Sequence, residues 1–97
     1  MNSKKSVKSE KEFQELRKQI DETDKQLLDI LENRFELSRE MALYKLVNDL
    51  PVKDNKREKQ LIKNRIDSSV LDQKFLRKIF REILKESKKI QKDEQGK

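Results

Sequence analysis

Apolar side chains return along the first half of the chain at alternating steps of three and four residues: Phe13, Leu16, Ile20, Thr23, Leu27, Ile30, Arg34, Leu37, Met41 and Tyr44. That is the seam of an α-helix, because 3.6 residues per turn bring every third or fourth side chain back to one side. A second row, Leu28, Leu31, Phe35, Ser38, Ala42 and Lys45, runs beside the seam and widens the apolar face. Ser9 followed by Glu12 forms a capping box at the start. No Gly or Pro intervenes before Pro51, and Asn48-Asp49-Leu50-Pro51 is the stop signal. The pattern predicts one helix of about 38 residues over 10–47.

Two shorter helices follow. Asp54 is an N-cap residue for a helix over about 55–66, with Leu61, Ile62 and Ile66 inward, and Asp67-Ser68-Ser69 breaks it. Asp72 caps a third helix over about 73–91, with Leu76, Phe80, Ile83, Ser87 and Ile90 as its seam and Leu84 and Gln91 beside it. The chain is thus all-α, with one domain over 10–91, a flexible basic tail over 1–9 and a flexible polar tail over 92–97. The first helix would be roughly 55 Å long, whereas a compact globule of this size is only about 30–35 Å across. Its apolar stripe therefore needs a second chain, and an intertwined helical-bundle homodimer follows. A coiled coil of the long helix alone would leave two amphipathic helices with nothing to pack on.

Composition narrows the chemistry. Of the 97 residues, 45% are charged, with one Gly and one Pro, which suits long helices with solvated faces. Cys and His are both absent, so thiol nucleophiles, Cys/His zinc sites, disulfides and imidazole acid–base catalysis are excluded. Any catalysis must use Lys, Arg, carboxylates and amides. The net charge of +6 is concentrated at the ends, in residues 1–11 and 85–97. That placement reads as basic, frayed ends, so no nucleic-acid partner is expected. The opening MNSKKSVKSE lacks a signal peptide's apolar stretch and no later run suits a membrane span, so a cytoplasmic location without membrane association is expected.

A few polar residues interrupt the apolar rows. Arg34 sits within the seam, and Lys45 lies 11 residues later, about 20° from the same direction. Their Cα atoms would be about 16 Å apart along the axis, close enough for both side chains to converge on a small anion. Two inward cations are costly unless something anionic balances them, either a ligand or acids on another helix such as Glu58. Arg17 has Asp21 four residues on, which an ordinary surface ion pair explains. Ser87 and Gln91 fit either a site or the fraying end of the third helix. Asp54 and Glu58 fit either a site or a cap with a first-turn acid.

Taken together, these residues carry a resemblance. Leu16-Arg17-x-x-Ile20-Asp21-x-x-Asp24-x-x-Leu27-Leu28-x-x-Leu31-x-x-Arg34, then Tyr44-Lys45-Leu46, then Pro51-Val52-Lys53-Asp54-x-x-Arg57-Glu58, with Ser87 and Gln91 beyond, resembles the all-helical chorismate mutases over about residues 13–91. The connection from Ile66 to Asp72 is short for that family. The resemblance implies conversion of chorismate to prephenate by an intramolecular Claisen-type rearrangement, in phenylalanine and tyrosine biosynthesis. It also implies a homodimer with two sites, and no metal or cofactor.

The resemblance further implies that Arg34, and Arg17 from the partner chain, bind the two carboxylates of this dicarboxylate substrate. Lys45 and Gln91 would donate to the ether oxygen. Asp54, through its backbone N–H, and Glu58 would hold the ring hydroxyl, with Arg57 orienting Glu58. Ser87 would add a carboxylate contact, and Met41 and Leu84 would be apolar walls. An isochorismate pyruvate-lyase shares this fold and cation set, but Asp54-x-x-Arg57-Glu58 is mutase-like. A reading from a different class, a non-enzymatic helical oligomerisation or nucleic-acid-binding module, would show steep salt-dependent DNA binding without turnover.

Overall fold

A computed structural model of the chain describes residues 9–97. Among them there are three helices and no strand: α1 (Glu10–Val47), α2 (Asn55–Asp67) and α3 (Gln73–Gln95). The basic tail expected over 1–9 lies outside the described residues except for Ser9.

Local chemistry sets the helix boundaries. Ser9 Oγ accepts from Glu12 N–H at 3.1 Å and donates to the Glu12 carboxylate, so both halves of the capping pair are engaged. The end of α1 is a Schellman turn: Leu50 N–H donates to Lys45 C=O at 2.8 Å and Asp49 N–H to Leu46 C=O at 3.3 Å. Asp49 occupies the left-handed position of that turn, at φ 54°. Glycine usually fills such a position because it has no Cβ, and Asp is one of the few other residues that tolerate it. Asp54 Oδ1 accepts from Arg57 N–H at 3.0 Å and Asp72 Oδ2 from Phe75 N–H at 2.8 Å, so both expected caps are formed.

The described residues divide into two compact units, one ending at Arg34 and the other over 35–97. In the first, the described residues are the N-terminal part of α1. None of its side chains is buried, and Phe13, Leu16, Ile20, Leu27, Leu28 and Ile30 are all largely exposed. Thr23, a polar member of this seam, is satisfied by its own helix, its hydroxyl donating to Gln19 C=O at 2.8 Å.

The second unit packs the end of α1 with α2 and α3 around Ala42, Leu61, Ile66, Leu76 and Leu84. Here the α1 row that turns inward is the second one, Ser38 and Ala42, while Leu37, Met41 and Tyr44 of the seam are exposed. On α3 the buried row is Leu76, Leu84, Ser87 and Gln91, with Phe80, Ile83 and Ile90 half-buried at its edges. The third helix also runs four residues past the expected end at Gln91, and Gln95 Nε2 donates to Ala42 C=O at 3.0 Å, tying the last turn to α1. The positive charge of residues 85–92 consequently lies on an ordered helix rather than on a frayed end.

Candidate active site

Four side chains from α1 and α3 make a continuous polar path through the otherwise apolar second unit. Ser38 Oγ and Ser87 Oγ are 2.6 Å apart and buried. One turn on, Gln91 Nε2 donates to Ser87 Oγ at 3.4 Å, and Lys45 Nζ donates to Gln91 Oε1 at 2.9 Å. Lys45 also donates to Val52 C=O at 2.9 Å, so its ammonium bridges α3 and the loop that leads into α2. The backbone of the same residue receives Leu50 N–H, and Lys45 therefore fixes this loop from both ends.

Ser87 and Gln91, 6% and 5% exposed, belong to the packed face of α3 and not to its fraying end. Every buried side-chain polar atom among the described residues has a hydrogen-bond partner, as burial demands. Donors remain, however. An ammonium has three N–H groups and Lys45 spends two on Val52 and Gln91; a carboxamide has two and Gln91 spends one on Ser87. Lys45 is half-buried, and among the described residues no carboxylate pairs with it. Glu58, the acid that could have neutralised it, is committed elsewhere: Lys88 Nζ lies 3.1 Å from Glu58 Oε2 and donates to Oε1 at 3.2 Å. Lys45 thus presents a positive charge and an unspent donor beside a second unspent donor on Gln91.

The remaining expected residues fall as follows. Asp54 spends its carboxylate on capping α2, which leaves its backbone N–H as the group able to serve a ligand. Arg57 is exposed, and Glu58 is oriented by Lys88 in its place. Leu84 is buried in the core, while Met41 is exposed. In the first unit, Arg34 is half-buried and engaged in contacts of its own. Arg17 makes no ion pair with Asp21; its guanidinium instead lies over the Phe13 ring, 4.5 Å from the centroid. That stacking holds the cation against the apolar seam.

Sequence reasoning missed Ser38 and Lys88. Ser38 stood in plain view as a hydroxyl within an apolar row. Lys88 left no signal, because its partner is 30 residues away and a lysine on a charged helix face reads as solvated.

The sequence model of the family described as chorismate mutase type II matches residues 16–92. The chain belongs to that family. A comparison with curated proteins returns no match. The span matched to chorismate mutase type II includes every expected site residue, from Arg17 to Gln91, and runs through both compact units. Among the described residues no helix is long and apolar enough to cross a membrane.

Proposed function

We propose that this chorismate mutase works as a cytoplasmic homodimer, with Lys45 and Gln91 as the groups that act on the breaking bond. The observation that carries this reading is the 2.9 Å hydrogen bond between Lys45 and Gln91, each with an N–H to spare and neither paired with a carboxylate among the described residues. Chorismate becomes prephenate when the C–O bond to the enolpyruvyl group breaks as a C–C bond forms across the ring. No proton moves and no nucleophile attacks. A protein can accelerate such a step by holding the flexible dianion in its compact conformer and by stabilising the negative charge that grows on the ether oxygen.

An ammonium and a neighbouring amide N–H, both turned to the ether oxygen, would meet the second need. They are already held, Lys45 by Val52 and Gln91, and Gln91 by Ser87, so little reorganisation is required at the moment of reaction. Glu58, fixed by Lys88, and the Asp54 N–H would take the ring hydroxyl. Arg34 and Ser87 would bind carboxylate oxygens, and Arg17 of the second copy would close the site. Bidentate guanidinium–carboxylate pairing suits both arginines.

A second copy is supported by what one chain leaves uncovered. Ile20, Leu27, Ile30 and Tyr44 are 59%, 54%, 65% and 64% exposed, a concentration of apolar surface beyond the scattered residues normal in a monomer. Incubating pure protein separately with chorismate and with isochorismate, and identifying the products, tests the activity. Prephenate from chorismate in the presence of EDTA is expected. Pyruvate and salicylate from isochorismate, with chorismate untouched, would replace this reading with the lyase.

A further inference from the structure

Between the loop before α2 and the C-terminal half of α3 lies an open cleft of about 380 Å³ whose walls are lysines: Lys53, Lys85, Lys88, Lys89 and Lys92, with Asp93 as the one acid in its lining. Four of the five come from α3 at spacings of three and four residues, so they share one helical face; Lys53 comes from the loop that Lys45 holds through Val52. Like charges packed this way repel one another, and neutralisation would relieve the strain. Among the described residues only Lys88 is neutralised, by Glu58. Lys53, Lys85, Lys89 and Lys92 are exposed and make no ion pair.

The cleft meets the site at Lys88, which holds Glu58, and at Lys53, next to the carbonyl that Lys45 bonds. At about 10 mM salt the Debye length is about 30 Å, so the field of the unpaired ammonium groups reaches a charged ligand that they do not touch. A cleft lined mostly by one sign of charge concentrates ions of the other sign.

We propose that this cleft is the electrostatic approach to the active site, drawing in the dicarboxylate before Lys45, Gln91 and the arginines grip it. This rests on the mutase reading of the adjoining site. Its lysines stabilise the approaching dianion equally before and during the rearrangement, so they raise kcat/KM and leave kcat alone. The ligand class follows from charge and size: a small dianion gains twice what a monoanion does from the same field.

The test compares two triple variants built on one helix. Lys85→Gln/Lys89→Gln/Lys92→Gln removes three charges from the cleft. Lys74→Gln/Arg77→Gln/Lys78→Gln removes three from the same face of α3, centred roughly 18 Å away along the axis. All six side chains are exposed, and Gln is as good a helix former as Lys, so both variants should fold. Steady-state constants are measured from about 10 mM to about 1 M NaCl, over which the Debye length shrinks from about 30 to about 3 Å. Wild type and the distal variant should lose kcat/KM steeply with salt. The cleft variant should start about tenfold lower at low salt, respond weakly to salt, meet the other two at 1 M and keep the wild-type kcat.

A cleft variant that matches wild type at low salt, or a distal variant that falls equally, would overturn the proposal. Calorimetric titration with prephenate, the product dianion, gives the same comparison without turnover. Prephenate affinity that depends on the cleft lysines in a protein unable to convert chorismate would leave the cleft standing and remove the mutase reading. Prephenate affinity indifferent to those lysines would remove the cleft.

Discussion

Lys88 reaches from α3 to both carboxylate oxygens of Glu58 on α2, at 3.1 and 3.2 Å, with both side chains about three-quarters buried. An ion pair this far from bulk water is expensive to break from one side, because the partner left behind keeps its desolvation cost. It also fixes the Glu58 carboxylate, which otherwise has three freely rotating side-chain bonds.

Lys88→Met should therefore lower kcat/KM about tenfold, equivalent to roughly 1.4 kcal/mol, between the values typical of exposed and of buried pairs. Lys88→Arg should restore most of it, since guanidinium bonds a carboxylate equally well. Helical content should stay constant across the series by circular dichroism. If Lys88→Met and Lys88→Arg are equally impaired, or if Lys88→Met is fully active, Glu58 does not depend on this partner.

At the other end of the site, Lys45→Ala and Gln91→Ala should each lower kcat by about 10²–10³-fold, the usual loss when a preorganised donor to developing charge is removed. Lys45→Ala should cost more, because a full charge and the Val52 tether go with it. The Gln91→Glu variant separates the donor role from mere packing. A carboxamide donates at any pH, whereas a carboxyl donates only when protonated, and Lys45 at 2.9 Å would favour the ionised form. Activity of that variant should be low at pH 7 and climb as the pH falls. A flat or rising profile towards alkaline pH would take Gln91 off the ether oxygen.

A stability prediction comes from the turn that aims the loop. Asp49 sits at φ 54° with the Schellman bonds of Leu50 and itself depending on that conformation. A β-branched residue there clashes with its own backbone, so Asp49→Val should destabilise by about 1–2 kcal/mol, whereas Asp49→Gly should not. Thermal unfolding followed by circular dichroism measures both. Equal melting temperatures for Val and Gly at this position would mean that the turn rearranges at no cost.

The boundaries of the three helices were readable because caps and stops are local: Ser9, Asp54 and Asp72 bond to backbone N–H groups within their own turns, and Asn48 to Pro51 end α1 without outside help. Which face turns inward was harder. Periodicity shows that α1 has two adjacent apolar rows, but not which row the chain keeps for itself, and it is Ser38 and Ala42, not Leu37, Met41 and Tyr44, that are buried, with hydrogen bonds to α3. On α3 the exchange is partial: Leu76 and Ser87 of the seam are buried as expected, Leu84 and Gln91 of the flank join them, and Ile83 and Ile90 lie at the edge. Lys45, Ser87 and Gln91 were legible as polar residues out of place in apolar rows. Lys88 and the lysine cleft were not, since a charge on a polar face gains meaning only when another helix is packed beside it.

Arg17 and Arg34 both lie on the first unit's stretch of α1, 17 residues apart, so their Cα atoms are about 25 Å apart and point roughly 100° away from each other. One small dicarboxylate cannot be gripped by both within one chain. If Arg17 binds substrate, it serves the site of a second copy. Arg17→Ala and Lys45→Ala homodimers should then both be nearly inactive, because every site carries one defect. Unfolding the two together and refolding them at equal ratio makes about half of the dimers mixed. In a mixed dimer one site lacks both Arg17 and Lys45, and the other is intact. Activity should return to about a quarter of wild type by this random pairing. Native mass spectrometry establishes that the heterodimer has formed. A mixture that contains heterodimer yet remains as inactive as its parents would show that Arg17 does not act across the dimer, and the composite site would be wrong.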